Sequence, residues 1–225
     1  MSRQENEQAI KGLFNVIAFG DTRLIESFTD DVNAVRNSST TIFDEILPNL
    51  AYVDDPTHPM ASSMFFCASV LAVYLALKEY GATEHVFGPR FLELLAQQAS
   101  AAAAAEASAM SEPSEAMVGA AKDSGSARPG EFVFEVYQGD GESVDWGLNI
   151  KSCAICHEFA KHDAMDLVPY MCASDDVMSD LGKQGLRRSG SIALGAHHCD
   201  FTYKSGGEPK SLAGQYPNRI RVSGT

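Results

Sequence analysis

No charged side chain occurs between residues 59 and 77, and that stretch constrains the fold more than any other in the chain. Its strongly apolar part, residues 64–77, is 14 residues long, and Ser62, Ser63 and Ser69 interrupt the wider stretch. A helix needs about 20 apolar residues to cross a bilayer. Fourteen suit a helix buried in a protein core, so the expectation is a core helix over about residues 60–80 and no membrane partner. Gly81 supplies the left-handed stop that such helices favour. With 225 residues and 45% apolar composition, the chain has enough material to bury a core around it.

The elements on either side follow from periodicity. Ile10, Leu13, Phe14, Ile17 and Ala18 mark an amphipathic helix, and residues 22–28 a second, short one. Residues 30–39 are polar and read as a loop before a short apolar stretch that Pro48 ends. Pro89 is expected to open the helix that carries Phe91, Leu92, Leu94 and Leu95. Residues 101–105 are polyalanine, and residues 111–130 read as a solvated linker.

After Gly130 the period changes to two. Phe132, Phe134 and Val136 alternate with Val133, Glu135 and Tyr137, and Trp146, Leu148 and Ile150 alternate after a Gly139-Asp-Gly141 turn. Helices are expected over 153–161 and 165–181, and strands over 186–194 and 198–203. The fold class is therefore α+β, with N-terminal helices packed on an antiparallel sheet of β-β-α-α-β-β order. The expected organisation is a helical part over 1–98, a linker over 99–130, an α+β part over 131–204 packed with 1–98 as one domain, and a polar tail over 205–225.

Charge excludes some partners. Residues 1–150 carry 8 Lys+Arg against 22 Asp+Glu, and residues 151–225 carry 9 against 8. A net charge of −13 repels phosphate backbones, so no nucleic-acid partner is expected. The first seven residues are polar and acidic, with no secretory pattern, and five cysteines at irregular spacing argue for reduced thiols. A cytoplasmic location follows, with a small-molecule partner; self-association to a homo-oligomer stays open.

Chemistry concentrates in residues 153–203, which hold Cys153, Cys156, Cys172, Cys199 and His157, His162, His197, His198. Cys153-Ala-Ile-Cys156-His157 spells the covalent haem signature, but that attachment normally needs export. On a helix, Cys153, Cys156 and His157 share a face and could bind zinc with Cys172 or Cys199, although a strong zinc signature pairs two short-spaced couples. We therefore expect no metal and no cofactor.

Cys172, Asp175 and Asp176 form another i, i+3, i+4 set. Arg188 could fork onto a substrate carboxylate, and a salt bridge to Asp175 or Asp176 fits the same pattern. If residues 197–203 form a regular strand, Cys199 and Asp200 face opposite sides. A Cys199–His197 pair would give an activated thiolate, and a His198–Asp200 pair an oriented general base. Cys199 beside Phe201 also fits a plain core residue.

Cys153, Cys172-Ala-Ser-Asp175, Arg188-Ser-Gly-Ser191-Ile192 and the run from Gly195 through Cys199-Asp200-Phe201-Thr202-Tyr203 together resemble the L-2-amino-thiazoline-4-carboxylic acid hydrolase family. A more diffuse similarity covers residues 46–81. Cys156 and His157 lie outside the shared pattern. The resemblance implies an α+β fold and hydrolytic opening of a cyclic isothiourea-like ring to an N-carbamoyl amino acid. It implies catalytic roles for Cys199, His198, Asp200 and Cys172, and substrate contacts for Arg188, Asp175, Ser191 and Cys153. The expected function is hydrolysis of a C–N or C–S bond in a small cyclic amidine-like substrate. Its alternatives are a biosynthetic cyclisation or rearrangement on the same fold, or non-catalytic small-molecule binding.

Overall fold

A computed structural model describes residues 1–106, 112–208 and 210. Among them are eight α-helices and three strands: α1 (Arg3–Phe19), α2 (Arg23–Glu26), α3 (Val32–Ile46), α4 (Ala61–Leu77), α5 (Glu84–Glu106), α6 (Glu115–Asp123), β1 (Val133–Gln138), β2 (Trp146–Ser152), α7 (Ala154–Ala160), α8 (Val168–Leu181) and β3 (Cys199–Tyr203). The class is α+β, as expected.

α4 is the charge-free stretch, and it is buried on nearly every side, from Ala61 and Met64 to Ala76 and Leu77. It packs against α1, α3 and α7. Its buried Ser69 hydroxyl donates to the Phe65 carbonyl at 2.8 Å and its buried Tyr74 hydroxyl to Glu84 Oε2 at 3.4 Å. The span Ala61–Tyr80 is long and apolar enough to cross a membrane, yet 72% of its most apolar window is buried inside the fold.

Three elements differ from the sequence expectation. Residues 32–39, expected as loop, belong to α3. Asp31 caps that helix by accepting from the Ala34 N–H at 3.0 Å, and Val35, Ser39, Phe43 and Ile46 form its buried stripe. Ser39 hides the stripe from a hydropathy reading, because its buried hydroxyl donates back to the Val35 carbonyl at 2.7 Å.

Pro89 lies inside α5 and does not begin it. The missing N–H costs one helical bond, while Phe87 and Phe91 on either side are both buried and hold the helix to the core. Here α5 meets α8 closely: a Cβ on Gly88 would stand 2.3 Å from the Tyr170 ring. The stretch after 111, expected as linker, carries α6. That helix is capped by Ser114 and is tied to β1 through Ser124, whose hydroxyl donates to the Phe134 carbonyl at 2.8 Å.

The sheet is antiparallel in the order β1-β2-β3. Asp140 builds the β1–β2 turn, one carboxylate oxygen accepting from the N–H groups of Glu142, Ser143 and Val144. Phe134 faces Ile150, Ile150 faces Cys199, and Leu148 faces Phe201. These side chains form the inner face and merge with the helices in one apolar cluster. The fourth strand expected over 186–194 is absent: only Arg187 bridges to Thr202, and Ile192–Leu194 is a 3-10 turn. The described order is thus β-β-α-α-β. The tail from residue 211 lies outside the described residues.

Candidate active site

α8 and β3 carry half of the expected site residues, and the segment between them, which carries Arg188 and Ser191, draws the two elements together. Cys172, Asp175 and Asp176 occupy one face of α8, and Arg188 returns across it. Its Nη2 donates to Asp176 Oδ1 at 2.6 Å and to the Cys172 carbonyl at 2.8 Å. Its Nη1 donates to Asp175 Oδ2 at 3.2 Å, and the guanidinium carbon lies 4.9 Å from the centre of the Phe201 ring.

The Arg188 side chain has 0% of its surface exposed. The enclosed guanidinium forms the salt bridge to Asp175 and Asp176 that the sequence left open beside a substrate contact, and it fixes the acid pair of α8 in place.

Asp175 is the group left open. Its side chain keeps 48% of its surface accessible, whereas Asp176 keeps 9%. Yet burial pushes the Asp175 carboxyl up to about 6, with Arg188 pulling against that shift and Asp176 adding to it. Open surface and strong desolvation together describe a carboxyl that protein crowds on one side and solvent reaches on the other.

Other groups feel the Asp175 charge. Cys172 is half-buried, and desolvation, helped by the Asp175 charge, holds its thiol well above the usual range. Tyr203 is raised by burial and also feels Asp175. Cys67 of α4 feels both Asp175 and Cys153, and burial keeps it protonated too. Sequence reasoning missed Cys67, since nothing in its apolar surroundings distinguishes it from a core residue.

β3 alternates as expected. Cys199 and Phe201 point inward and are buried. Cys199 Sγ accepts from the Ile192 N–H at 3.3 Å, and burial pushes the thiol up to about 11. Asp200 points to the other face. Its oxygens accept from the Ser189 N–H at 3.0 Å, the Ser189 hydroxyl at 2.6 Å and the Gly190 N–H at 2.8 Å. Partial burial alone would raise it, but these bonds hold the carboxylate below its usual range.

His197 and His198 are both exposed. The structure forms neither the His198–Asp200 pair nor the Cys199–His197 pair, which corrects the expectation of an oriented base or an activated thiolate there. Asp200 spends its oxygens on the 189–190 backbone.

Ser191 and Cys153 complete the surroundings. Ser191 is 0% exposed, its hydroxyl oxygen has no hydrogen-bond partner, and it immediately precedes the turn that contacts Cys199. Cys153 caps the start of α7, is buried, and is charge-coupled to Cys172 and Cys199. The neighbouring Cys156 thiol, and burial after it, raise the Cys153 thiol. His157 turns away, its Nε2 lying 3.1 Å from Ser152 Oγ. Among the described residues, no three or more His, Cys, Asp or Glu side chains gather closely enough to hold a metal ion.

The site therefore offers one titratable carboxyl poised near neutrality, a fixed positive charge behind it, protonated thiols and an unsatisfied hydroxyl. Such a set can move a proton, and it can bind a small polar ligand. No curated protein and no solved structure matches the chain. The family model described as L-2-amino-thiazoline-4-carboxylic acid hydrolase matches residues 66–203, which is more than half of the chain and spans α4, the Arg188 segment and all of β3. The chain belongs to the L-2-amino-thiazoline-4-carboxylic acid hydrolase family.

Proposed function

We propose that the chain hydrolyses a small cyclic amidine-like substrate beside Asp175, with water as the nucleophile. The observation that carries this reading is the half-open Asp175 carboxyl at about 6, held by a buried Arg188. At neutral pH it is largely ionised and can accept a proton. Water adds through oxygen to the C=N carbon while Asp175 takes one of its protons. Asp175 gives that proton to the nitrogen, which takes up the π electrons. It then relays the hydroxyl proton of the adduct to the leaving ring nitrogen or sulfur as the carbonyl forms and the C–N or C–S bond breaks. A positioned base of this kind typically supplies about 10²–10⁴-fold in rate.

Cys199 and Cys172 both keep their protons, which favours them as walls of the site over nucleophiles. Ser191, buried and without a partner, is placed to hydrogen-bond a polar atom of the ligand.

The test is turnover of a panel of cyclic amidines and 2-aminothiazolines in heavy-oxygen water. Hydrolysis places one labelled oxygen in the product. An unlabelled product would mean cyclisation or rearrangement, and thermal stabilisation by a ligand without turnover would mean a binding domain. Either outcome overturns the hydrolase reading.

A further inference from the structure

The turn between α3 and α4 has no part in the proposed hydrolysis, yet it is built under strain. Tyr52 is buried and has a backbone φ of 69°, a left-handed conformation that bulky aromatic residues rarely adopt. Such a residue persists only where its surroundings hold it. Its phenol oxygen accepts from the Phe132 N–H, just ahead of β1, at 2.9 Å. Its ring stacks on the imidazole of His58, with centroids 4.2 Å apart and planes 12° apart. The same imidazole meets the Phe134 ring of β1 edge-on at 6.5 Å.

His58 is fixed in turn by the start of α4. Its Nδ1 accepts from the N–H of Met60, the N-cap residue, at 3.2 Å, and its carbonyl accepts from the Ala61 N–H at 2.9 Å. A ring nitrogen that accepts carries no proton, so this imidazole is neutral. A proton on Nδ1 would turn the acceptor into a second donor facing the Met60 N–H. It would also place a positive charge at the positive end of α4.

We propose that neutral His58 is a proton-sensitive latch, which holds the strained turn over 52–60 against β1 and releases it when the imidazole gains a proton. α4 brings no charge to the latch, since residues 59–77 have none. Burial opposes a charge on His58, and the weaker pulls of Asp55 and Glu131 favour one. Glu131 is paired with Arg128 at 2.7 Å, and Asp54 with Arg3 of α1 at 2.6 Å and with Arg128 at 3.7 Å. The Tyr52 phenol, pushed up to about 12 by burial, stays neutral. The latched ring therefore titrates below its ordinary 6.5. Its stabilisation is full above that value and is lost as pH falls through the lower midpoint. The proposal does not depend on the chemistry at Asp175.

The test is hydrogen exchange of the full chain, read as protection factors at the Met60 and Phe132 amides with the intrinsic pH dependence divided out. Between about pH 7.5 and about pH 5, the range of histidine titration, both should lose about fivefold, the worth of one hydrogen bond. The loss should track the His58 imidazole followed by NMR. His58→Asn keeps an acceptor for the Met60 N–H and does not titrate, so its Met60 protection should stay level across the range. His58→Phe keeps a stacking face without the acceptor, so its Met60 amide should already be weakly protected at neutral pH. The proposal is overturned if either wild-type amide keeps its protection through the His58 midpoint or if that midpoint lies at or above 6.5. It is also overturned if His58→Asn loses protection as the wild type does, or if His58→Phe protects Met60 as well as the wild type.

Discussion

Arg188 and Asp175, both expected from the sequence to contact substrate, differ in exposure. The arginine is buried against the acid pair, and the aspartate is half-open to solvent. This follows from charge burial: a guanidinium with no exposed surface must be paired, and Asp176 and Asp175 supply the opposite charge while the Cys172 carbonyl accepts a further bond. Removing the charge by Arg188→Gln leaves a buried Asp176 unmatched and should cost about 3–5 kcal/mol in chemical denaturation. It should also move the Asp175 midpoint upward, because the charge that pulls it down is gone. A carboxyl titration followed by NMR measures that shift, and a merely structural defect would not produce it. Asp175 itself makes stability depend on pH. Its folded carboxyl sits at about 6 against an ordinary 3.8, so the folded chain holds this proton more tightly than the unfolded chain. The resulting stabilisation is full below about 4 and is lost as pH rises through about 6. Asp175→Asn should flatten that part of the curve of unfolding free energy against pH.

At the scale of elements, the segment between α8 and β3 fails to become a strand because a side chain takes its backbone donors. Ser189 and Gly190 give their N–H groups to Asp200, so neither can join a ladder. Asp200→Ala should free both amides. Hydrogen exchange at Ser189 and Gly190 is expected to accelerate, with a loss of about 1–3 kcal/mol in stability from the donors left unsatisfied. This competition explains what could be read from the sequence and what could not. Periodicity located β1, β2 and the alternation of β3, because each buries a continuous face, and the absence of charge located α4, which is buried all round. It missed the first half of α3, where buried Ser39 looks polar, and the start of α5, where Pro89 looks like a boundary. Within the site, the sequence brought Cys172, Asp175 and Arg188 to attention and named the salt bridge as one outcome. It could not show that Arg188 is enclosed, or that Asp200 turns to Ser189 and away from His198, since both depend on a long-range approach.

The whole molecule joins its helical and sheet parts in one apolar cluster running from Ile10 to Phe201. The single tryptophan, Trp146, is buried in β2 and stacks on Tyr203 at 4.3 Å, so its fluorescence reports the sheet. Far-UV circular dichroism reports mainly the helices. If the cluster folds as one unit, thermal unfolding followed by the two signals should coincide, and separated midpoints would show two independently folding units. The central claim is that the Asp175 carboxyl is the proton acceptor of the proposed hydrolysis, and it is tested most directly by kcat/KM against pH for a turned-over cyclic amidine. The wild-type chain should show an ascending limb near pH 6, Asp175→Asn should remain folded with activity reduced by at least about 100-fold, and Cys199→Ala should retain the limb. An Asp175→Asn chain as active as wild type, beside a folded but inactive Cys199→Ala, would contradict the account and assign the chemistry to the thiol.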